Sequence, residues 1–299
     1  NPISLSEFDA KSEYWFNTKN CTIELGKQTL PRNHKPNDFL TLLSPEVEWD
    51  PLAKCPKWER FLEKIFAGDQ ELIDYIQKVV GYTLTGDTSA QTFFILFGDG
   101  ANGKSTFLNV LQNLFGEYFI HIEARTLMEK KDSNNTSDLA RLKGKRLVTC
   151  SEPSGKRGLE EALVKSLTGD DMITARLLYE NFSDYKPTFK IFLSTNHLPI
   201  IKGLDHGIWR RIIPVPFGVT ISESERIPNY ERQLLPELDG ILRWALKGCE
   251  KWFADGKLGQ TPTAILKAAG DYKASMDPLT AFLRDRIEVG KTFQVKDGD

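Results

Sequence analysis

Cysteine is scarce in this sequence. Cys21, Cys55, Cys150 and Cys249 stand far apart, with no C-x-x-C pair and no histidine cluster beside them. That spacing argues against a disulfide framework and against a zinc site, and it fits a reducing, intracellular compartment. Long apolar runs are missing too: nothing approaches the ~20 residues that a bilayer-spanning helix needs. The opening NPISLSEFDA has neither the basic nor the apolar region of a signal peptide, so no membrane partner is expected. Positive charge is not in excess, with 39 Lys plus Arg against 41 Asp plus Glu and a net charge of −2. Binding of nucleic acid by a bulk basic field is thereby excluded, and any such contact has to be local. There is no internal repeat and no low-complexity tract.

What is there reads as a folded protein. The 299 residues are 40% hydrophobic, enough for one large domain or two modest ones. A start without Met and an end at KTFQVKDGD, just after a helical pattern, suggest a piece of a longer protein. Residues 1–50 mix short alternating runs, CTIEL and EVEW, with Pro, Asn and Asp, and predict a β-rich or irregular segment. Residues 51–90 turn helical: Trp58, Phe61, Leu62, Ile65 and Phe66 recur at helical spacing, then Leu72, Ile76, Val79 and Val80. Residues 91–217 alternate strand-like and helix-like segments, the pattern of an α/β layer with a mainly parallel sheet. Its strand candidates are 92–97, 146–150, 189–195 and 211–216. Residues 218–299 return to helix, with one run opening at Pro236 and another at Asp277-Pro278.

The chemistry concentrates in ILFGDGANGKSTFLNVLQNLFG. An apolar strand pattern enters a loop with three glycines, and a helix pattern leaves through Phe107, Leu108, Leu111, Leu114 and Phe115. Gly98, Gly103, Lys104 and Ser105 satisfy G-x-x-x-x-G-K-[ST] in the strand–loop–helix setting that the motif requires. Such a loop, here Gly98, Asp99, Gly100, Ala101, Asn102, Gly103, Lys104, Ser105 and Thr106, turns backbone N–H groups onto phosphates at the positive end of a helix. Lys104 reaches the β and γ phosphates, and Ser105 offers its hydroxyl to Mg²⁺. ATP and Mg²⁺ are the expected ligands.

Hydrolysis needs an acid on a neighbouring strand. In KRLVTCSEP, Glu152 sits just past an apolar strand; the bland alternative is an exposed Glu after a buried strand. FKIFLSTN then puts Asn196 at the edge where ligands of open α/β sheets gather, although Asn also serves to cap a turn. In GIWRRIIPVPF, Arg210 and Arg211 precede another strand; arginines can stabilise phosphoryl transfer in cis or from a neighbour, or lie on the surface.

The order GDGANGKST, VTCSEP, LTGDDMITARLLYENFSDYKPTFKIFLSTNHLP, GIWRRIIPVPF resembles that of the superfamily 3 helicases, of the type in phage and plasmid primase-helicases and their poxvirus-like relatives. The resemblance spans roughly residues 35–217. It implies a compact AAA+ core, an ATP hydrolase that assembles as a ring, usually a hexamer, and moves single-stranded DNA through its pore. It also implies a primase or polymerase domain upstream and, for a phage- or plasmid-encoded protein, action in the host-cell cytoplasm. Carried over by position, Lys104 and Ser105 fall on the first motif, Glu152 on the acidic motif, Asn196 on the sensor and Arg211 on the arginine finger. Arg211 is preferred to Arg210 because it lies six residues before Phe217. Ser151-Glu152 stands where many relatives carry two adjacent acids, so Glu152 would serve both as base and near the metal.

Between Glu152 and Asn196 the family places a pore hairpin. ITARLLYENFSDYKPTF reads as strand, tip and strand, with Arg176, Tyr179, Phe182 and Lys186 offering charge and rings to a strand. An ordinary hairpin packing its aromatics into a core is the alternative. Residues 125–146 hold seven basic residues against three acidic ones, a solvated face or a set of contacts at a subunit boundary. Two competing functions stay open: a phosphate-loop kinase, whose lid also carries paired arginines, and an AAA+ remodelling or assembly ATPase acting on protein.

Overall fold

The computed structural model describes residues 12–38, 40–129, 137–151, 157–203 and 205–276. Near the start, β1 (Trp15–Asn17), β2 (Thr22–Glu24) and β3 (Leu30–Arg32) form a small antiparallel sheet. CTIEL contributes β2, but EVEW forms no strand. Val47 is fully buried, and its carbonyl accepts a 2.9 Å bond from Lys19 N–H, so this stretch packs as a loop.

Helix α1 (Pro56–Ile65) follows, with Pro56 in its first turn and Trp58, Phe61, Leu62 and Ile65 buried along one face. Its first N–H groups are satisfied from far along the chain: Glu237 accepts from Lys57 N at 2.9 Å and Trp58 N at 3.1 Å. Asp69 caps α2 (Gln70–Leu84) by accepting from Leu72 N.

The centre of the molecule is built by β4 (Phe93–Phe97), α3 (Lys104–Phe115), β5 (Phe119–Glu123), α4 (Ser137–Ala140), β6 (Leu147–Ser151) and α5 (Glu161–Leu167). A hairpin comes next, β7 (Ile173–Ala175) with β8 (Ser183–Tyr185), then β9 (Lys190–Thr195), α6 (His206–Trp209) and β10 (Ile212–Pro216). The chain closes with α7 (Glu231–Leu234), α8 (Leu238–Asp255) and α9 (Thr263–Met276). The five-stranded sheet runs β10-β4-β9-β6-β5, and every pairing is parallel. This is an α/β fold with a parallel central sheet flanked by helices, as expected.

Both faces of the sheet are buried. Phe94, Leu96, Leu147 and Phe192 look into one hydrophobic cluster, while Phe93, Ile95, Val148, Ile191 and Leu193 look into the other. Period-two alternation therefore produces two cores from continuous apolar runs. Each fully buried Phe contributes about 1.5–3 kcal/mol of transfer free energy. The fifth strand, β5, was not among the strand candidates; of its residues only Ile122 is fully buried. Helix α9 lies between the two runs singled out in the helical region 218–299, with Ile265 and Tyr272 its only buried residues. The predicted helix from Asp277 lies outside the described residues.

The helical regions before and after the sheet meet: α2 packs along α8. Glycine makes this possible, since a Cβ at Gly81 would lie 2.1 Å from Cys249 N and one at Gly248 2.0 Å from Gln77 O. Gly81→Ala is expected to cost about 3 kcal/mol through overpacking, read as a lowered denaturant midpoint. No disulfide joins the cysteines, all of which are buried; burial pushes the Cys55 and Cys249 thiols up to about 12. Among the described residues no helix is long and apolar enough to cross a membrane.

Candidate functional site

The C-terminal edge of the sheet gathers the first group of sequence-derived residues. β4 ends at Phe97 and the chain enters the glycine loop, whose backbone turns left-handed at Gly100, Ala101 and Gly103. Gly98 and Gly103 are required for space as well: a Cβ at Gly98 would stand 2.3 Å from Phe217 O, and one at Gly103 would stand 2.6 Å from Ile65 Cγ2. Helix α3 makes its first backbone bond from Phe107 N to Gly103 O, at 2.9 Å. Ser105 and Thr106 N–H are thus left without backbone acceptors among the described residues, at the positive end of a twelve-residue helix.

Lys104 is the first residue of that helix and is 5% exposed. Its Nζ donates to Gly98 O at 2.6 Å, Asn102 Oδ1 at 3.2 Å and Asn196 Oδ1 at 3.3 Å. Burial lowers its pKa, partly offset by Asp99. Asn102 is buried and donates to Phe217 O, which ties the loop to the chain leaving β10. Asn196 follows β9 directly, and the pairing of β9 with β4 (Thr195 beside Phe97) brings it to the loop. The sheet thus brings together Gly98, Lys104 and Asn196 from sites 92 residues apart. Ser151, at the end of β6, lines the same cavity; Glu152 lies outside the described residues.

That cavity measures about 1140 Å³. Its floor is the loop and the first turn of α3, and its far wall was not anticipated from sequence. Lys57, Arg60, Phe61 and Lys64 of α1 line it, as do Ile221, Glu225, Ile227, Tyr230 and Gln233. Lys64 pairs with Glu225 at 3.0 Å, whereas the charged heads of Lys57 and Arg60 have no partner among the described residues. The signal for these cations was available: spacings of three and four residues put them on one face of α1, though such a face ordinarily reads as solvated. Among the described residues no group of three or more His, Cys, Asp or Glu is arranged to hold a metal ion. The exposed Ser105 hydroxyl opening on the cavity fits the way Mg²⁺ is held, by few protein oxygens and mostly by substrate phosphates.

Arg210 and Arg211 lie at the opposite edge. Arg211 O accepts from Phe93 N, beside the start of β4, so the length of β10, about 13 Å, separates it from the glycine loop. The expectation that Arg211 reaches a neighbour meets an obstacle. Arg211 is only 9% exposed, with Nε donating to Thr168 Oγ1 at 3.2 Å and Nη1 to Gly207 O at 2.6 Å. Burial and the adjacent Arg210 lower its pKa. Arg210 is the exposed member of the pair and bonds the Gln91 side chain.

The hairpin opens from this same edge, ahead of β9. Its root is fixed, with Ile173, Ala175 and Tyr185 buried and Tyr185 OH donating to Leu139 O at 2.6 Å. Its tip is not packed: Leu178 is 71% exposed, Tyr179 fully and Phe182 60%. The core-packing alternative therefore fails for Tyr179 and Phe182. Arg176 stacks over Phe182 with 4.6 Å to the ring centre, and Lys186 pairs with Asp170. In the basic stretch, Arg146 is not solvated but buried, 5.9 Å from the Tyr118 ring centre.

Comparison with known proteins gives two matching family models, "D5 N terminal like" over residues 2–67 and a "Family of unknown function (DUF5906)" over residues 96–211. A protein of Acanthamoeba polyphaga mimivirus named as a helicase is 37% identical over 180 residues, 59% of this chain and 19% of the relative. Primase D5 of Fowlpox virus is 26% identical over 155 residues, 50% of this chain and 19% of the relative. The chain thus spans about a fifth of the length of these relatives. The apo NrS-1 C-terminal region shares the fold, with a TM-score of 0.57 at 16% identity over 87% of this chain and 60% of that one.

Proposed function

From the homology of this chain to members of the D5 primase-helicase family, we propose that it is the motor part of a helicase-primase. In this reading it hydrolyses ATP and draws single-stranded DNA through a homohexameric ring, beside a primase or polymerase domain elsewhere in the full-length protein. The cytoplasm of an infected host cell is the proposed place of action, in keeping with the viral relatives. The observation that carries the reading is the Lys104 ammonium, held by Gly98 O and Asn196 Oδ1 on the floor of the cavity.

ATP lies with its β and γ phosphates on the N–H groups of the loop and of α3, and Lys104 exchanges its protein acceptors for phosphate oxygens. Bound Mg²⁺, held through Ser105, supplies neutralisation of the phosphate charge. Asn196, released from Lys104, holds the attacking water, and Glu152 takes its proton as the water adds to the γ phosphorus and ADP leaves. Arg210 of a neighbouring subunit faces the γ phosphate, since the length of β10 bars it from its own site. Arg211 anchors that corner to Thr168, at the C-terminal end of α5, from which the chain runs on into β7 of the hairpin proposed to hold DNA. Tyr179 and Phe182 stack on bases, and Arg176 and Lys186 approach phosphates.

Arg60→Ala removes from the cavity wall a cation that has no partner among the described residues. It is expected to raise KM for ATP about tenfold with little change in kcat, because a charged hydrogen bond made equally in ground and transition states is lost. The reading as a whole is tested by strand displacement from a forked duplex with the full-length protein. Unwinding is expected to require ATP and to disappear in Lys104→Ala. Hydrolysis without unwinding or response to DNA favours the remodelling ATPase, and phosphate transfer to a small acceptor favours the kinase.

A further inference from the structure

The end of the cavity away from the phosphate loop has the components of a base-reading site. Phe61, only 4% exposed, backs Tyr230, with ring centres 5.9 Å apart. Tyr230 is half-buried and lines the cavity, with Ile227 and Pro228 beside it. Gln233 stands three residues on, one turn of α7 later, so the ring and the carboxamide share a side and both line the cavity. Gln233 is exposed, and its carboxamide has no partner among the described residues.

This segment is strapped to the phosphate loop. Ile221 N donates to Ala101 O at 2.7 Å, Asn102 donates to Phe217 O at 3.3 Å, and Glu225 pairs with Lys64 of α1 at 3.0 Å. The distance from phosphates to base wall is therefore fixed by the fold rather than by a mobile flap.

We propose that Tyr230 and Gln233 form the base subsite of the nucleotide cavity and select adenine, Tyr230 as the stacking platform and Gln233 as the reader of the N6–N7 edge. The proposal rests on the nucleotide reading above. A carboxamide offers one acceptor and one donor, which match the adenine N6 amine and N7. Guanine presents two acceptors along that edge, so the carboxamide oxygen faces O6 unpaired. Pyrimidines lack N7 and cover less of the ring.

The test is equilibrium binding of ATP, 7-deaza-ATP, GTP, CTP and inorganic tripolyphosphate to the full-length protein, without turnover. ATP is expected to bind about tenfold tighter than GTP and 7-deaza-ATP, the discrimination of one bidentate pair. Gln233→Ala should bring the three within about twofold of one another, a levelling that the loss of that pair entails. Tyr230→Ala should weaken ATP about tenfold, the loss of one stacked base, while leaving tripolyphosphate unchanged, and Tyr230→Phe should restore it. Equal binding of ATP and GTP by the unaltered protein, or a preference that survives Gln233→Ala, would overturn the assignment. If tripolyphosphate and every nucleotide fail to bind, the nucleotide reading itself fails, which is a distinct outcome.

Discussion

Replacing Lys104 with alanine is expected to lower ATP turnover roughly a thousandfold, the effect of deleting a positioned donor from the transferring phosphoryl group. Lys104 is 5% exposed and its amine is already held by Gly98 O, Asn102 Oδ1 and Asn196 Oδ1, so it meets the phosphates in place. Lys104→Arg is not expected to rescue, since a planar guanidinium cannot take the place of a compact ammonium among three oxygens in a closed site. The lowered pKa of free Lys104 has a further consequence. Phosphates favour its charged form, so at pH values around that lowered pKa binding takes up a proton, and affinity falls as pH rises through it. Calorimetry in buffers of different ionisation enthalpy reads that uptake directly.

Two inactive variants, Lys104→Ala and Arg210→Ala, are expected to restore part of each other's activity when mixed before assembly. Each alone should lose about a thousandfold, the scale of an arginine contributed across an interface. In a mixed ring, some interfaces pair an intact Lys104 with an intact Arg210 of the neighbour, about a quarter of them in an equal random mixture of a closed ring. The double variant offers no complete interface and should stay inactive at any ratio. The geometry behind this is the length of β10, with the arginines at its start and the loop beyond its neighbour's end. Arg211→Ala should behave differently. It loses bonds to Thr168 and Gly207, so about 1–3 kcal/mol of stability should go, seen as a lower Tm as well as a lower rate. A mixture no more active than its components would remove the trans role of Arg210.

How much of this was legible in sequence depended on locality. The glycine loop packs its glycines, lysine and serine into nine consecutive residues between an apolar strand and an amphipathic helix, so one window contains the whole device. Strands β4, β6, β9 and β10 read as apolar runs because both their faces are covered. β5 did not, because a strand with one fully buried residue carries almost no apolar pattern. The cavity wall was hidden for a different reason. It is assembled from α1 and from residues 221–233, on opposite sides of the loop in sequence, and its polar positions look like any solvated helix face. Arg210 and Arg211 show the limit most sharply. They are chemically identical neighbours, and only the way the chain enters β10 buries one and exposes the other. The N-terminal segment gave no functional signal by pattern, yet it matches the D5 N terminal like model.

The measurement that bears most directly on the central claim is the ATP hydrolysis rate of the full-length protein with and without single-stranded DNA. The rate is expected to rise several-fold with DNA, and the rise should shrink when Tyr179, fully exposed at the hairpin tip, is replaced by alanine. A hydrolysis rate indifferent to DNA at every concentration would contradict the account.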